Sequence, residues 1–505
     1  MPTSAPDLEF RNRTVTVMGL GEFGGGIGAV RFLAEAGAKI ILTDLRSEAE
    51  LAVSLAQLDS AWPVTLRLGR HEESDFRGSD LIVVSPAVPK QSQFLAVARD
   101  AGVPLTCEMN LFWERNRGRV LAVTGSNGKS TTTALIHAIL TARSPVPCGL
   151  NDSFPIRNHP SHKGSGYGGC WLGGNIGISL LPQVRRIQPE DWVVLELSSF
   201  QLEDLASLRP RPEIAVVTNF TPNHLDRHGT VESYRAAKHN LLRWQTADQF
   251  AIVNAQSEVA FWQTAATRLR FGPVDDHRLG IFGEGSEALT RLPADLGGEQ
   301  RLPLGRWLRL PGTHNWQNAQ AAIAATLAAG ASIDAIEQAV SSFRGLPHRL
   351  EFVAEMDGRR CFNDSKSTTP EATVLALQSF DEPIVLLAGG YDKQIDLSAI
   401  ASAAVSRCRA VALLGQTGPQ LGRLIEAAAR HANVVGPTCR SFTSLEPAVA
   451  WSLQESAPAD IVLLSPGCAS YDWFQNYIQR GEQFSELLRR AKHAEARLAK
   501  KEAAN

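Results

Sequence analysis

The chain has 505 residues and a formal net charge of -2, and its 44% hydrophobic and 20% charged residues are ordinary for a globular protein of about three domains. This balance gives no reason to expect a nucleic-acid partner, and seven scattered cysteines argue against a disulfide framework or a zinc site. Because the sequence shows neither a signal peptide nor an apolar run near the roughly 20 residues that cross a bilayer, we expect a cytoplasmic protein without membrane insertion.

The first segment predicts a βαβ unit. A strand pattern over Thr14–Met18 leads into Gly19-Leu-Gly-Glu-Phe-Gly24, and a second strand ends at Asp44. This spacing matches the dinucleotide-binding fingerprint, in which glycines allow a tight turn and a helix N-terminus faces a pyrophosphate. Alone, the motif is a weak signal for NAD, because UDP carries a pyrophosphate as well. A further strand stops at Ser85, and we interpret residues 1–115 as a Rossmann-like domain.

A phosphate-binding loop is predicted in the second segment. The apolar strand pattern Val120–Val123 runs into Thr124-Gly-Ser-Asn-Gly-Lys-Ser-Thr131, and a helical run follows. The two glycines let backbone N–H groups and a helix N-terminus approach an anion. The lysine adds positive charge for the β- and γ-phosphates, and the serine after it can reach magnesium. The loop is a shortened P-loop, since Val123 stands where the first glycine is usual.

Other residues of this segment stand out beside the phosphate loop. Glu196 interrupts an apolar strand, and a buried carboxylate is costly unless it is paired or binds a metal. His224 follows the next strand, where the phosphate loop and Glu196 favour a metal or phosphate role. Lys238 lies on a helical pattern that would also suit a solvated surface lysine. The Ser-, Pro-, Gly- and His-rich stretch 143–170 predicts a long polar loop with no role that the sequence suggests.

A pair of asparagines marks the start of a later helix. Asn315 and Asn318 lie three residues apart and therefore share one helix face. Paired carboxamides at this place can cap the helix or hold an adenine edge. Sequence geometry does not separate these two interpretations.

The third segment alternates apolar strands with helical runs, which predicts another α/β unit. Polar clusters follow three of its strands, at Asn363–Pro370, Gly389–Lys393 and Ser465–Ser470. Loops at the carboxyl ends of parallel strands lie at one edge of a sheet, so these three clusters should converge on one pocket. Two lysines among hydroxyl groups suit a small dicarboxylate or a phosphate.

Taken in order, these motifs resemble those of the Mur ligases, ATP-dependent amide-forming enzymes of peptidoglycan precursor synthesis. The resemblance covers nearly the full length, apart from 143–170 and the last fifteen or so residues. The motifs that carry it are Thr124–Thr131, Gly174–Gly177, Glu196–Gln201, His224–Asp226, Tyr234–Lys238, His314–Asn318, Gly345–Arg349, Asn363–Lys366 and Ser465–Ser470. The last two motifs match the glutamate-adding member and differ from those of its sister ligases.

The resemblance implies an α/β fold of three domains. These are a Rossmann-like UDP-sugar domain at 1–115, a P-loop-type ATP-binding domain with a parallel sheet at 116–345, and a Rossmann-like amino-acid domain at 346–505. The implied reaction joins the L-alanine carboxylate of UDP-N-acetylmuramoyl-L-alanine to D-glutamate. ATP, the co-substrate, would convert the carboxylate into an acyl phosphate, from which the amine displaces phosphate. Two Mg²⁺ ions are the implied cofactors, and we expect a monomer.

The resemblance also assigns roles to particular residues. Catalytic roles fall on Lys129, Glu196, His224, Lys238 and Lys366. The two magnesium ions would be held by Ser130, Glu196, His224 and a Lys238 that CO₂ has converted into an anionic carbamate. The implied ATP contacts are Gly125, Ser126, Asn127, Gly128, Lys129, Ser130, Thr131, Asn315, Asn318, Arg349 and Asp364. The implied UDP-sugar contacts are Leu20, Gly21, Asp44, Arg46, Ser85 and Asn175. The implied amino-acid contacts are Lys366, Thr368, Lys393, Ser470, Tyr471 and Tyr477.

Departures from the family pattern leave alternatives open. Tyr477 stands where the family usually has phenylalanine against the amino acid, which keeps L-glutamate open as the substrate. Glu22 and Phe23 replace smaller residues beside the uracil, and the stretch 143–170 is longer than usual. An alternative of a different class, an NAD-dependent oxidoreductase, rests only on the glycine fingerprint and the acid after it. That alternative leaves the phosphate loop and the third segment unexplained.

Overall fold

The computed structural model describes residues 9–21, 24–142 and 168–502. Glu22, Phe23 and most of the predicted long loop lie outside these residues. The chain divides into two compact units, one of Met1–Leu308 with Trp316–Ser341 and one of Arg309–Asn315 with Ser342–Asn505. In the described part of the chain, no helix combines the length and the apolar character needed to span a bilayer.

The first sheet is parallel, and within the described residues it has five strands in the order β3-β2-β1-β4-β5. The strands are β1 (Thr14–Met18), β2 (Lys39–Asp44), β3 (Val64–Leu68), β4 (Leu81–Val84) and β5 (Leu105–Thr106). The helices are α1 (Gly25–Glu35), α2 (Glu48–Leu55), α3 (Glu73–Arg77), α4 (Gln93–Asp100) and α5 (Glu108–Arg115). The strand order reverses between β1 and β4, which is where ligands bind in open parallel sheets.

The second sheet has nine strands among the described residues, in the order β14-β13-β12-β11-β10-β9-β6-β8-β7. They are β6 (Arg119–Thr124), β7 (Cys170–Gly174), β8 (Trp192–Glu196), β9 (Ile214–Val217), β10 (Phe250–Asn254), β11 (Thr267–Gly272), β12 (Gly280–Phe282), β13 (Ala288–Arg291) and β14 (Glu299–Leu302). Only the pairs β12–β13 and β13–β14 are antiparallel in this part of the chain. The helices are α6 (Lys129–Ala142), α7 (Ser199–Leu205), α8 (Leu225–His228), α9 (Val231–His239), α10 (Leu304–Trp307), α11 (Thr313–Ala328) and α12 (Ile333–Ser342).

The first two sheets share one hydrophobic core. Buried residues of β1, such as Val15, belong to the same cluster as Val193 of β8 and Val217 of β9. The central strands read as continuous apolar runs because helices cover both faces of the sheet. This shared core holds the carboxyl ends of β6, β8 and β9, from which the candidate site is built, in fixed positions relative to one another.

The third sheet belongs to the second compact unit and, in the residues described, has the order β15-β16-β20-β17-β18-β19. Its strands are β15 (Glu351–Met356), β16 (Arg359–Asn363), β17 (Ile384–Gly389), β18 (Cys408–Leu414), β19 (Thr438–Ser441) and β20 (Ile461–Leu464). Its helices are α13 (Pro370–Leu377), α14 (Ser398–Arg407), α15 (Gly418–Ala432), α16 (Leu445–Glu455) and α17 (Tyr477–Glu502). Separate apolar clusters cover its two faces. The predicted α/β architecture with parallel-dominated sheets is confirmed.

Candidate active site

The phosphate loop connects β6 to α6 in a turn that requires glycine at two positions. Gly125 has a φ of 144° and Gly128 a φ of 81°, both in the region that side chains rarely adopt. A Cβ atom on Gly125 would lie 1.9 Å from Thr218 Oγ1, and one on Gly128 would lie 2.2 Å from Asn318 Oδ1. Neighbouring polar side chains therefore press directly against the loop backbone.

Residues that follow β9 hold the loop in place. Thr218 Oγ1 donates a 2.6 Å hydrogen bond to the carbonyl of Asn127. The Asn219 side chain accepts from the N–H of Asn127 at 2.9 Å and donates to its carbonyl at 3.1 Å. Ser126 Oγ donates to the carbonyl of Thr221 at 2.8 Å. Because these bonds fix the loop, its backbone needs little ordering to receive a phosphate.

Two lysine ammonium groups meet at one carbonyl of the loop. Lys129 Nζ donates to the carbonyls of Gly125 and Ser126 at 3.0 and 2.9 Å, and Lys238 Nζ donates to Gly125 at 2.7 Å. Lys238 is only 2% exposed, so it is not a solvated surface lysine. Burial, together with the nearby charge of Lys129, holds the pKa of Lys238 well below its usual range. Burial therefore makes the Lys238 ammonium easier to deprotonate than a solvated lysine.

Glu196 is the last residue of β8, and only one of its two carboxylate oxygens has a hydrogen-bond partner among the described residues. The side chain is 2% exposed. Its Oε1 accepts a 2.8 Å hydrogen bond from Asn175 Nδ2, whereas Oε2 is buried without a hydrogen-bond partner among the described residues. A buried carboxylate oxygen left unpaired is costly, so this atom points to a ligand that the protein alone does not supply.

A magnesium ion fits this donor set. In the described residues, no three histidine, cysteine, aspartate or glutamate side chains cluster as a metal site. Mg²⁺ usually binds through one or two carboxylates together with substrate phosphates, which does not require such a cluster. The unpaired oxygen of Glu196 and the buried hydroxyl of Ser130, the second residue of α6, are oxygen donors of this kind.

His224 precedes α8 in a left-handed conformation, with a φ of 52°. Its ring packs edge-on against Phe200, with 5.3 Å between ring centroids, and faces Tyr234 at 6.2 Å. Lys238 Nζ lies 4.8 Å from the centroid of the same tyrosine ring. The structure therefore brings the two predicted ligands of the second magnesium, His224 and Lys238, into contact with one buried tyrosine.

Five of the predicted UDP-sugar residues lie at the carboxyl edge of the first sheet. Asp44 Oδ2 accepts from the N–H of Leu20 at 3.0 Å and from Arg46 at 3.1 Å. Burial alone would raise the pKa of Asp44, but hydrogen bonds from Arg46 and Leu20 lower it. Gly21 follows with a φ of 70°, and directly after β4 the N–H of Ser85 donates to the carbonyl of Met18, the last residue of β1. The sixth residue, Asn175, lies instead on the second sheet beside Glu196.

The two asparagines of α11 have different surroundings. Asn318 is buried against the phosphate loop, where its Oδ1 accepts a 3.4 Å hydrogen bond from Thr132 Oγ1. Asn315 belongs to the second compact unit and donates from Nδ2 to the carbonyl of Pro311 at 2.6 Å. Neither hydrogen bond satisfies a backbone N–H group at the helix start, so the capping interpretation gains no support from them.

In the second compact unit, Asp364 joins two of the predicted loops. The hydroxyl groups of Ser367 and Ser465 donate to its Oδ2 at 2.6 and 2.8 Å. Burial raises the pKa of Asp364 to about 6 despite these bonds and the nearby charge of Arg349. Arg349 Nε is itself buried without a hydrogen-bond partner in the described part of the chain. Asp364 is therefore fully hydrogen-bonded within the protein, since Leu350 N–H donates to its Oδ1, whereas Arg349 Nε is left for a bound ligand.

An arginine that sequence reasoning missed ties the three loops together. Arg480 is 1% exposed. Its guanidinium donates to the hydroxyl and carbonyl of Ser365, both at 2.9 Å, and to the carbonyls of Cys468 and Ala469 at 3.1 and 3.3 Å. The N–H of Tyr391 donates to the same Ala469 carbonyl at 2.9 Å. The predicted convergence of the three loops is therefore observed. A single arginine on a charged helical pattern carries no signal of this burial.

The predicted amino-acid residues line this group of loops. Lys366 Nζ lies 6.0 Å from the ring centroid of Tyr477, the first residue of α17. That ring also packs edge-on against His348, with 6.0 Å between centroids. Thr368 is half-buried in the turn before α13. The departure from phenylalanine at position 477 thus keeps an aromatic ring beside a lysine.

The other loops bring a second lysine next to a tyrosine. Lys393 Nζ lies 5.6 Å from the ring centroid of Tyr471, and the residue before this tyrosine, Ser470, is buried. With Lys366, the loops supply two cations among hydroxyl groups, which is the composition that suits a dicarboxylate.

Fold and site together define a class of protein. Three α/β domains that carry a fixed phosphate loop, a buried lysine and an unpaired carboxylate form a nucleotide-dependent enzyme of the P-loop type. Three family models match the chain: the MurD-like N-terminal domain at 13–107, the Mur ligase middle domain at 123–326 and the Mur ligase glutamate ligase domain at 348–468. The chain belongs to the Mur ligase family, as predicted.

Relatives of known name match almost the whole chain. A UDP-N-acetylmuramoylalanine–D-glutamate ligase from Roseiflexus sp. is 38% identical over 496 residues, which cover 95% of this chain and 99% of the relative. The enzyme of the same name from Acidobacterium capsulatum is 37% identical over 484 residues, covering 95% and 97%.

Solved structures support the fold alone. UDP-N-acetylmuramate–alanine ligase from Thermotoga maritima has a TM-score of 0.58 at 19% identity, covering 95% of this chain and all of that one. MurF from Acinetobacter baumannii has a TM-score of 0.53 at 16% identity, covering 95% and 92%.

Proposed function

We propose that this chain uses ATP to join the L-alanine carboxylate of UDP-N-acetylmuramoyl-L-alanine to the amine of D-glutamate. The names of relatives at up to 38% identity over nearly the full length support this reaction. The observation in the structure that carries the proposal is the unpaired, buried Glu196 Oε2 on the sheet edge that also bears the phosphate loop.

The reaction needs an activated carboxylate, because an amine cannot displace an oxide from a carboxylate at a useful rate. The carboxylate oxygen attacks the γ-phosphorus of ATP, the bond to ADP breaks, and an acyl phosphate forms. The amine then attacks the acyl carbon, phosphate leaves, and the amine loses its proton. Phosphoryl transfer requires mainly positioning and neutralisation of charge. Here the loop N–H groups and the Lys129 ammonium at the start of α6 supply both.

Bound magnesium would neutralise charge on the phosphate oxygens and on the acyl acceptor. Ser130 and Glu196 would hold one ion, and His224 with Lys238 would hold the second. For this role, the neutral Lys238 amine adds to CO₂ and loses a proton, which leaves an N-carboxylate. The lowered pKa of Lys238 favours that addition, since only the unprotonated amine is a nucleophile.

The second compact unit would bind the amino acid. We propose that Lys366 and Lys393 pair with the two carboxylates of glutamate, with Ser470 and Thr368 as hydrogen-bonding groups. Tyr477 would pack its ring against the carbon chain as a phenylalanine does. The dinucleotide alternative gains no support from Asp44, because the hydrogen bonds from Leu20 and Arg46 account for this carboxylate without a ribose.

The test is phosphate release from ATP by the full chain with UDP-N-acetylmuramoyl-L-alanine, comparing D-glutamate with L-glutamate. We expect release with D-glutamate only, and none when UDP-N-acetylmuramic acid without alanine replaces the substrate. Release with L-glutamate alone would refute the proposed stereochemistry and direct attention to Tyr477. No release with either amino acid would refute the reaction itself.

A matched pair of variants controls for general damage. Lys129→Ala should abolish acyl-phosphate formation, because the loop loses the cation that its phosphate site requires. Lys492→Ala removes a lysine that is exposed on α17 and should leave phosphate release unchanged.

A further inference from the structure

The segment that follows Ser85 is held by an arginine of the second sheet's helices. Arg227 of α8 donates to the carbonyls of three successive residues: Pro86, Ala87 at 2.9 Å and Val88 at 2.8 Å. A guanidinium presents several N–H groups in one plane, so a single arginine can bind adjacent carbonyls in this way. The segment 86–88 thus takes its conformation from a residue about 140 positions later.

The same arginine packs into the cluster that surrounds His224. Its guanidinium lies 4.7 Å from the ring centroid of Phe200. Phe200 stacks on His228 at 5.1 Å between centroids and packs edge-on against His224 at 5.3 Å. His228 Nε2 lies 2.9 Å from Ser199 Oγ. The N–H groups of Arg227 therefore bind the segment 86–88, which follows the predicted UDP-sugar residue Ser85. Its guanidinium also lies over Phe200, the ring that packs against His224.

The helix that carries Arg227 is too short to be stable without tertiary contacts. α8 has four residues, and the residue before it, His224, has a φ of 52°. One turn of helix is unfavourable alone, since nucleation fixes several dihedral angles for a single hydrogen bond. Tertiary contacts must therefore place α8 and its preceding histidine, and the bonds of Arg227 to 86–88 are among these contacts.

A second contact ties the same segment to the neighbouring helix. Lys90 Nζ lies 3.0 Å from Glu203 Oε1 and 3.1 Å from Asp204 Oδ1, both on α7. Because α7 also carries Phe200, the segment 86–90 is attached to both helices that support His224.

We propose that Arg227 is a positioning residue that couples occupancy of the UDP-sugar site to the placement of His224. The proposal rests on the proposed function. A UDP-sugar bound at Ser85 would restrain 86–88, and through Arg227 this restraint would reach α8. His224, a proposed magnesium ligand, would then reach its working position only when the UDP-sugar substrate is bound. Lysine would not replace Arg227, because an ammonium can neither bind three carbonyls in one plane nor stack as a guanidinium does.

The kinetic test compares Arg227→Met and Arg227→Lys with Arg243→Met. Arg243 also lies over an aromatic ring, 5.4 Å from Trp244, but it is exposed and lies outside α8 and the segment 86–90. Both changes at Arg227 should raise the KM for the UDP-sugar and the Mg²⁺ concentration at half-maximal rate by about tenfold. The KM for D-glutamate should stay within about twofold of wild type. Arg243→Met should alter none of the three values.

A purely structural role would lower the melting temperature without this pattern, and it would overturn the proposal. Rescue by Arg227→Lys would overturn it as well, since charge alone would then suffice. Should wild type release no phosphate, the proposed function fails, and the coupling is tested by amide hydrogen exchange instead. UDP-N-acetylmuramoyl-L-alanine, the probe, should slow exchange at 224–229 in wild type but not in Arg227→Met. In both proteins it should slow exchange at 19–46. Equal slowing at 224–229, or none in wild type, would refute the coupling.

Discussion

Replacing Glu196 with glutamine should stabilise the ligand-free protein while abolishing its magnesium-dependent activity. Glu196 is buried, and its Oε2 has no hydrogen-bond partner among the described residues. Glutamine keeps the acceptor for Asn175 Nδ2, which now bonds Oε1 at 2.8 Å. The change therefore replaces an unpaired buried charge with an unpaired buried amide of nearly the same shape.

The size of the effect follows from the two desolvation costs. An unpaired neutral group costs about 1–3 kcal/mol, and an unpaired charged group costs more. Lost attraction to Lys238 offsets part of the difference, so we expect a net gain of about 1–2 kcal/mol. For a unit of this size, this gain corresponds to a rise in melting temperature of roughly 1–3 °C.

The assay is thermal unfolding of wild type and Glu196→Gln, each without ligand and with ATP and Mg²⁺. Ligand at about 100 times its Kd stabilises a protein by about 2.7 kcal/mol. Wild type should show such an increase on adding ATP and Mg²⁺, and Glu196→Gln should show little. Glu258→Gln is the control, because that carboxylate accepts hydrogen bonds from Arg235 and Trp262 and its neutralisation should lower stability. A ligand-free Glu196→Gln that melts below wild type would refute the reasoning.

Further variants address the other unusual groups. Lys238→Ala should abolish turnover and bicarbonate should not restore it, whereas wild type stripped of CO₂ should regain its rate with bicarbonate; turnover by the variant would contradict a role for this lysine. Burial raises the pKa of Asp364 to about 6, above its unfolded value, so its protonation in the folded state stabilises at low pH and this stability is lost as pH rises through about 6. The unfolding free energy of Asp364→Asn minus that of wild type, measured in urea, should therefore be about 2 kcal/mol larger at pH 7 than at pH 4; equal differences would show that the carboxyl is not perturbed. Tyr477→Phe should keep the preference for D-glutamate and change its KM by less than about threefold, since the packing against His348 involves the ring; a reversed preference in phosphate release would contradict this.

Much of the phosphate loop could be predicted because its chemistry is local. A strand, a turn that requires positive φ and a helix start are adjacent in sequence, so glycine spacing and one lysine suffice to define them. The glycines at 125 and 128 have the expected backbone conformations. Glu196 could also be predicted, since a single acid in an apolar strand conflicts with its surroundings.

The burial of Lys238 could not be predicted in the same way. Its helix, α9, is amphipathic and would suit a lysine on either edge of its polar face. The buried Lys238 Nζ donates its hydrogen bond to the carbonyl of Gly125, which lies 113 positions away in sequence. Arg480 is a similar case, because its partner Ser365 is 115 positions away. Such contacts form only when the sheets bring distant strand ends together. Local sequence periodicity therefore cannot predict them.

Two buried ionisable groups, Glu196 and Lys238, lie near the phosphate loop of the second sheet and influence each other. Glu196 acts on the pKa of Lys238 by attraction, whereas Lys129 and burial lower it. If CO₂ adds to Lys238, a cationic neighbour of Glu196 becomes an anionic one, and two buried carboxylates then repel each other. In the proposed function, a magnesium ion at each carboxylate would offset this repulsion, so carbamate formation and magnesium binding would favour each other by equal factors. The proposed metal ions would therefore account for both buried groups, the unpaired oxygen of Glu196 and the buried Lys238.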